Sequence, residues 1–350
     1  MPKPLSPQDF LQKARSLPVV DVRSPGEFAQ GHIPGAVNIP LFTNEERARV
    51  GTTYKQVSQP DALLLGLDIV GPKMSDFVRQ AKALTDGDEI LVHCWRGGMR
   101  SGSFGWLLET AGMKVATLVG GYKAFRTQVL EGLSEPRKLV VLGGKTGSGK
   151  TEILHQLRAL GEQVIDLEQL AHHKGSSYGA IGQLAQPSTE HFENQLYLEW
   201  LQLDPDRRVW IEDESRSVGR CLLPESVWTQ MQKAPLVLVE LEKNLRIERL
   251  VREYACFDIA LLYEATHRIQ KRLGGQHHKA AIEALDRRDF AAVAEITLTY
   301  YDKAYLHGVE KRPVSYTCEP MQDDAASTAR QLLSWAERAG VDSDQEIIRH

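Results

Sequence analysis

The chain has 350 residues, 25% of them charged and 42% apolar, with a formal net charge of −4. That length suggests two domains, and that composition is ordinary for a soluble globular protein. It excludes a uniformly basic nucleic-acid binder, and no apolar run approaches the ~18 residues of a membrane span, so no membrane partner is expected. The opening Met1-Pro2-Lys3-Pro4 lacks the apolar core of a secretion signal. The four cysteines, at 94, 221, 256 and 318, form no Cys-x-x-Cys pair. Neither a disulfide framework nor a structural zinc site is indicated, and a reducing cytoplasm is the expected setting.

Leu17 to Arg23 reads as a first buried strand that ends in Asp21 and Arg23. Charged residues at buried strand ends are usually paired, so these two are expected to hold neighbouring loops rather than do chemistry. His32 and His93 are expected to be hydrogen-bonded packing residues. Ser24 can cap a helix whose first position is Pro25. The glycines and prolines of Gly31-His32-Ile33-Pro34-Gly35-Ala36 force a loop that ends in a short strand. Asn44 to about Met74 is an added piece. It reads either as a surface insertion with a little helix, or as a lid or dock for a large substrate.

Ile90-Leu91-Val92 reads as a buried parallel strand, and Phe104 to Ala111 as a helix. Between them runs His93-Cys94-Trp95-Arg96-Gly97-Gly98-Met99-Arg100-Ser101. Cys94 therefore heads a loop that leads into a helix N-terminus. Backbone N–H groups turned inward, the helix dipole, Arg96 and Arg100 all favour the thiolate. A nucleophilic or group-carrying cysteine is expected, against the alternative of a buried structural one.

Glu131 to Pro136 is a polar linker candidate. The apolar strand Lys138 to Leu142 then runs into Gly143-Gly144-Lys145-Thr146-Gly147-Ser148-Gly149-Lys150-Thr151, followed by a helix from Glu152 to Leu160. A Gly-x-x-x-x-Gly-Lys-Thr pattern between strand and helix reads as a P-loop. Its backbone N–H groups can close around phosphate, Lys150 can reach a terminal phosphate, and Thr151 can hold Mg²⁺. Gln163 to Asp166, Val209 to Glu214 and Leu236 to Leu241 read as further strands. The second ends in three acids, and Asp213 or Glu212 is the candidate for orienting a metal. The loops His172 to Gly179 and Ser215 to Arg220 fall where an α/β fold places its ligand crevice. Without a third ligand near His172-His173, no structural metal site is expected.

From Lys243 to about Leu306 the chain reads helical. Within it, His267 to Lys279 carries four cations, three histidines and no acid, whereas the tail from Asp323 to Glu346 is acidic. The basic stretch is either a solvated helix face or a contact for a nucleic-acid backbone. A last helix, Asp324 to Ala339, is expected to pack on the second domain.

Asp21-Val22-Arg23-Ser24-Pro25, Glu27-Phe28, Gly31 to Ala36 and Leu118-Val119-Gly120-Gly121-Tyr122 resemble the rhodanese family in the order expected of it. That resemblance implies a parallel α/β domain whose cysteine carries a chalcogen. The role falls on Cys94, with Trp95, Arg96, Gly97, Gly98, Arg100 and Ser101 as an anion cradle. The Cys94 to Ser101 loop and the Gly144 to Thr151 P-loop together make nearly the whole chain resemble the tRNA 2-selenouridine synthase family. The expected architecture is α/β: a rhodanese-like parallel-sheet domain over 1–133, then a P-loop NTPase-like domain with a helical C-terminal part over 134–350.

The resemblance implies a transferase that converts wobble 2-thiouridine of tRNA to 2-selenouridine, with selenophosphate as donor, through S-geranylation by geranyl diphosphate. No tightly bound cofactor is expected beyond an Mg²⁺ that the P-loop can hold. An enzyme that supplies selenophosphate is a further expected partner. Cys94 would either accept selenium or act during removal of the geranylthiol group. Arg268, Lys271 and Arg272, with the Asn44 to Met74 insertion, are the candidate tRNA contacts. Two other classes compete: a thiosulfate-type sulfurtransferase, and a nucleotide-regulated binding protein.

Overall fold

A computed structural model describes residues 2–310 and 312–341; the end of the acidic tail, 342–346, lies outside the described residues. The chain divides into two compact units. The first is built from the residues up to Gly132 and takes in Glu193–Gln195; the second is built from the remaining described residues.

The first unit runs β1 (Lys3–Leu5), α1 (Pro7–Lys13), β2 (Val19–Asp21), α2 (Pro25–Gln30), β3 (Val37–Asn38), α3 (Asn44–Gln56), α4 (Gln59–Val70), α5 (Met74–Lys82), β4 (Glu89–His93), α6 (Met99–Thr110), β5 (Lys114–Leu118) and α7 (Gly121–Gly132). Its sheet is parallel throughout, in the order β1-β5-β4-β2-β3. Val20, Ile90, Val92, Phe77 and Phe104 form the core against it. The continuous apolar run of β4 is what a central strand covered on both faces requires.

The inserted piece is almost wholly helical, with more helix than the surface-insertion reading expects. Thr43 and Glu46 close a capping box at the start of α3, and Ser58 caps α4. Lys73 returns to Glu46 at 2.7 Å and ties the far end of the piece to its start.

The second unit runs β6 (Lys138–Gly144), α8 (Lys150–Ala159), β7 (Gln163–Ile165), α9 (Leu167–Ala171), α10 (Thr189–Trp200), β8 (Arg208–Glu212), β9 (Ser217–Val218), β10 (Cys221–Leu222), α11 (Glu225–Lys233) and β11 (Leu236–Val239). The helices α12 (Lys243–Tyr254), α13 (Ile259–Arg268), α14 (Gln270–Leu273), α15 (Gly275–Asp286) and α16 (Phe290–Val309) follow, then β12 (Val314–Cys318) and α17 (Ala325–Arg338). Five parallel strands stand in the order β12-β11-β6-β8-β7, so the strand that feeds the P-loop is central. Ala329, Leu332 and Ala336 of α17 pack with Leu154 and Leu157 of α8 in the core of this unit, as expected of the last helix. Among the described residues no helix is long and apolar enough to cross a membrane.

Candidate functional sites

Cys94 follows the last residue of β4 and is 3% exposed, at the floor of its loop. Helix α6 begins at Met99, five residues before the expected start, so Arg100 and Ser101 lie in its first turn. Its N-cap, Gly98, has no side chain to satisfy the first N–H groups. Ser101 sits with Oγ 3.2 Å from Cys94 Sγ. Burial opposes ionisation of the thiol. The Ser101 hydroxyl, the backbone N–H groups of Ser101 and Arg96, and the Arg100 charge outweigh it and hold the thiol below its ordinary value.

The two arginines act differently. Arg96 lends its backbone N–H while its side chain is exposed. Arg100 donates to Glu27 Oε2 at 3.2 Å, and Arg47 of α3 approaches the same carboxylate at 3.7 Å. Asn44 Oδ1 also accepts the Gly26 N–H at 2.7 Å. The inserted helices are thus anchored on α2, one carboxylate away from the cysteine loop.

A second loop shapes the cradle. Tyr122 N–H donates to the Cys94 carbonyl (2.8 Å) and Lys123 N–H to that of Trp95 (3.0 Å). Gly121 has φ +61°, and a Cβ there would stand 2.4 Å from both the Cys94 carbonyl oxygen and the Gly97 nitrogen. Glycine is therefore required by conformation and by space. Behind the loop, Arg23 is fully buried, donates to both oxygens of Asp21, bonds the Gly31 carbonyl, and lies 3.8 Å over the Tyr122 ring. His93 is buried too, and desolvation pushes it down to about 4 despite Asp21 at 3.7 Å. It is neutral near pH 7 and already deprotonated, so it packs with Phe10 and Tyr122 rather than supplying a proton.

In the second unit the P-loop lies between β6 and α8. Gly147 (φ +81°) and Gly149 (φ +78°) take left-handed conformations that L side chains rarely adopt. The Lys145 carbonyl accepts the Ser148 N–H (3.1 Å) and closes the turn, and Arg246 donates to the Thr146 carbonyl (3.2 Å). Ser148 Oγ is buried and has no hydrogen-bond partner among the described residues. Lys150 Nζ donates to the Gly144 carbonyl at 3.0 Å, folded back on its own loop.

The structure redirects the metal-orienting expectation away from Asp213. Its carboxylate is closed by Arg312 (2.6 Å) and by the Tyr305 hydroxyl (3.1 Å), which in turn accepts the Gly144 N–H (2.7 Å). Glu212 is fully buried and accepts the Leu167 N–H; burial, with Asp166 and Glu168 close by, pushes its carboxyl well up. The carboxylate beside Thr151 is Glu168, which accepts the Thr151 hydroxyl at 2.9 Å. Burial raises Glu168, and burial together with Glu168 pushes Glu214 up to about 8. Two carboxyl groups held together in the half-buried wall of a cleft cannot both ionise freely. Glu168 lies in the first turn of α9, just after β7, a position the sequence marks with no motif.

The P-loop, Glu168, Asp213 and Glu214 line a cleft of about 1410 Å³. Arg268, Lys271 and Arg272, from the end of α13 and from α14, line it as well. Arg268 donates to the Ser177 carbonyl (3.1 Å) and Arg272 to the Tyr300 hydroxyl (3.4 Å), and all three side chains are exposed. The first part of the basic stretch, His267 to Arg272, thus lines the same cleft as the P-loop, with its charged side chains open to solvent. Among the described residues no group of three or more His, Cys, Asp or Glu side chains could hold a metal ion.

A parallel α/β unit carrying a thiol in an amide-rich loop, followed in one chain by a P-loop unit, defines a rhodanese-like module fused to a P-loop-type one. Residues 6–128 match the rhodanese-like domain family, and residues 137–334 match the family described as tRNA 2-selenouridine synthase AAA domain. Proteins named tRNA 2-selenouridine synthase are similar over most of their length. One from Pseudomonas putida is 38% identical over 298 residues (77% of this chain, 78% of the relative). One from Shewanella denitrificans is 36% identical over 339 residues (87% and 90%), and one from Bordetella petrii 35% over 341 (85% and 88%). The chain belongs to the tRNA 2-selenouridine synthase family.

Proposed function

We propose that this protein converts wobble 2-thiouridine in tRNA to 2-selenouridine, with selenophosphate as the selenium source and an S-geranyl intermediate made from geranyl diphosphate. The observation that carries the reading is the shared cleft. One end is the P-loop, the other wall is basic, and the volume between them exceeds what a diphosphate needs.

In the first step the thiocarbonyl sulfur bonds to C1 of the geranyl group. The C1–O bond breaks, diphosphate leaves with the electron pair, and the base loses its N3 proton. The P-loop N–H groups and Lys150 stabilise the charge that grows on the leaving group. To do so Lys150 swings from the Gly144 carbonyl onto phosphate. Thr151 and Glu168 are the oxygen donors that would hold Mg²⁺, which would add charge neutralisation there.

Electron counting limits the role of Cys94. Selenium in selenophosphate is already at the selenide level, so a Cys–S–Se adduct would require an oxidant. The thiolate acts at carbon instead. It attacks C2 of the S-geranylated base and displaces geranylthiolate, which takes up a proton. Selenium of selenophosphate then attacks C2 and expels the Cys94 thiolate, and water cleaves the Se–P bond to release phosphate. No step changes an oxidation state.

The test is nucleoside mass spectrometry of 2-thiouridine tRNA incubated with protein, geranyl diphosphate and selenophosphate. The wild type should yield 2-selenouridine. Cys94→Ala should stop at the geranylated nucleoside, and Lys150→Ala should leave 2-thiouridine unreacted. Loss of both products in Cys94→Ala would reject the division of labour. Sulfur transfer from thiosulfate with no requirement for tRNA would favour the sulfurtransferase reading.

A further inference from the structure

Arg246, Arg249 and Arg252 stand at helical i, i+3 spacing on α12, and that helix packs directly on the P-loop. A Cβ at Gly147 would meet the Arg246 carbonyl oxygen and Leu250 Cγ, both at 3.2 Å. A Cβ at Gly149 would stand 2.7 Å from Arg249 Nη2 and 2.9 Å from its Cζ. The Arg249 guanidinium thus lies against the residue before Lys150. Of the three arginines, Arg249 alone lines the P-loop cleft.

The other two are committed elsewhere. Arg246 donates through both Nη atoms to Asp302 (2.8 Å each) besides the Thr146 carbonyl. Arg252 is exposed and donates to Asp323 Oδ2 at 2.7 Å. Arg249 is held from two sides by unequal partners. Asp323, just before α17, accepts from its Nε at 3.2 Å and from its Nη2. Burial opposes ionisation of Asp323, but the bonds from Arg249 and Arg252 hold its carboxyl below the ordinary value. Glu152, in the first turn of α8, takes Nη1 at 2.8 Å and is 54% exposed, against 17% for Asp323. An ion pair with an exposed carboxylate contributes little, whereas a guanidinium matches phosphate oxygens well. Nη1 is therefore the edge that can change partner.

We propose that Arg249 is a second catalytic cation of the P-loop site: its Nη1 leaves Glu152 for an oxygen of the diphosphate, while Asp323 keeps the Nε and Nη2 edge and positions the guanidinium. The inference rests on the geranyl diphosphate reading given above, and it adds a charge from outside the loop. As the C1–O bond breaks, the electron pair stays on diphosphate, and Lys150 and Arg249 both face it. Arg249 makes no covalent bond and moves no proton.

Two measurements on the full-length protein test this: calorimetry with inorganic pyrophosphate, and the rate of geranylation of 2-thiouridine tRNA. Arg249→Ala leaves Asp323 paired with Arg252, so the fold keeps its partner for that carboxylate. It should weaken pyrophosphate binding about tenfold and lower kcat for geranylation on the order of a hundredfold. Guanidinium ion, well below denaturing concentration, should restore part of that rate, and urea at the same concentration should not; a misfolded variant would respond to neither. Asp323→Asn should slow the wild type severalfold and cost nothing further in the Arg249→Ala background, where a purely structural role would still cost. If wild-type protein forms no geranylated nucleoside, the geranyl reading fails, and pyrophosphate affinity still decides whether Arg249 is a diphosphate ligand. If the wild type does form it, and Arg249→Ala keeps its affinity and rate or gains nothing from guanidinium, Arg249 is not the second cation and the geranyl reading stands.

Discussion

Removal of the Ser101 hydroxyl tests how the cysteine is activated. Ser101 Oγ lies 3.2 Å from Cys94 Sγ and 3.2 Å from the Gly98 carbonyl oxygen, and it has one proton for two acceptors. While the thiol is neutral, S–H donates to Ser101 and Ser101 donates to Gly98. When the thiol ionises, the hydroxyl proton turns to sulfur and the Gly98 bond is given up. A hydrogen bond to a charged group contributes ~1.5–3 kcal/mol, and the lost carbonyl bond returns about 1 kcal/mol of it. The net, roughly 1.4 kcal/mol, is one pKa unit. Ser101→Ala should therefore raise the midpoint of Cys94 alkylation by about one unit, and Ser101→Thr should restore it. The assay is the pH dependence of iodoacetamide labelling, read on the Cys94 peptide by mass spectrometry. Burial slows labelling in every variant, so the midpoint is compared and not the rate. An unmoved midpoint in Ser101→Ala would show that backbone N–H groups and Arg100 carry the effect without the hydroxyl.

Arg23→Met should destabilise the protein by about 3–5 kcal/mol in urea unfolding, because Asp21 stays buried without its partner; the double change with Asp21→Asn should recover part of the loss. Glu214, pushed up to about 8, is neutral below that pH and ionises above it. Pyrophosphate binding should weaken as pH rises from 7 to 9, when a negative charge appears in the Lys150 cleft, and Glu214→Gln should flatten that dependence in calorimetry. Changing Arg268, Lys271 and Arg272 together to Ala should lower tRNA affinity and reduce the salt slope by about two, measured by filter binding. An unchanged slope would remove these residues from the tRNA surface.

The P-loop was readable because each of its parts is local: an apolar strand, glycines at fixed spacing, then Lys150 and Thr151. The cysteine loop was readable for the same reason, except for the start of α6. Met99 to Ser103 have weak apolar periodicity, and only the bare Gly98 cap marks where the helix begins. β1 and β12 escaped sequence reading because neither has a buried alternating face. Lys3–Leu5 and Val314–Cys318 are strands by virtue of their partners β5 and β11. The site residues that escaped are those set by long-range packing. Glu168 meets Thr151 from the first turn of α9, and Arg312 reaches Asp213 across 99 positions of sequence.

Gly121 and the cysteine loop touch with no room between their backbones. The loop that carries the thiol is therefore a casting, and the Gly120-Gly121-Tyr122 turn is its mould. A substitution, insertion or deletion in one has to be answered in the other, about 25 positions downstream. Anyone grafting a different reactive loop onto this scaffold would have to transplant both pieces as a matched pair, or the first added methyl group would push the cysteine carbonyl out of place.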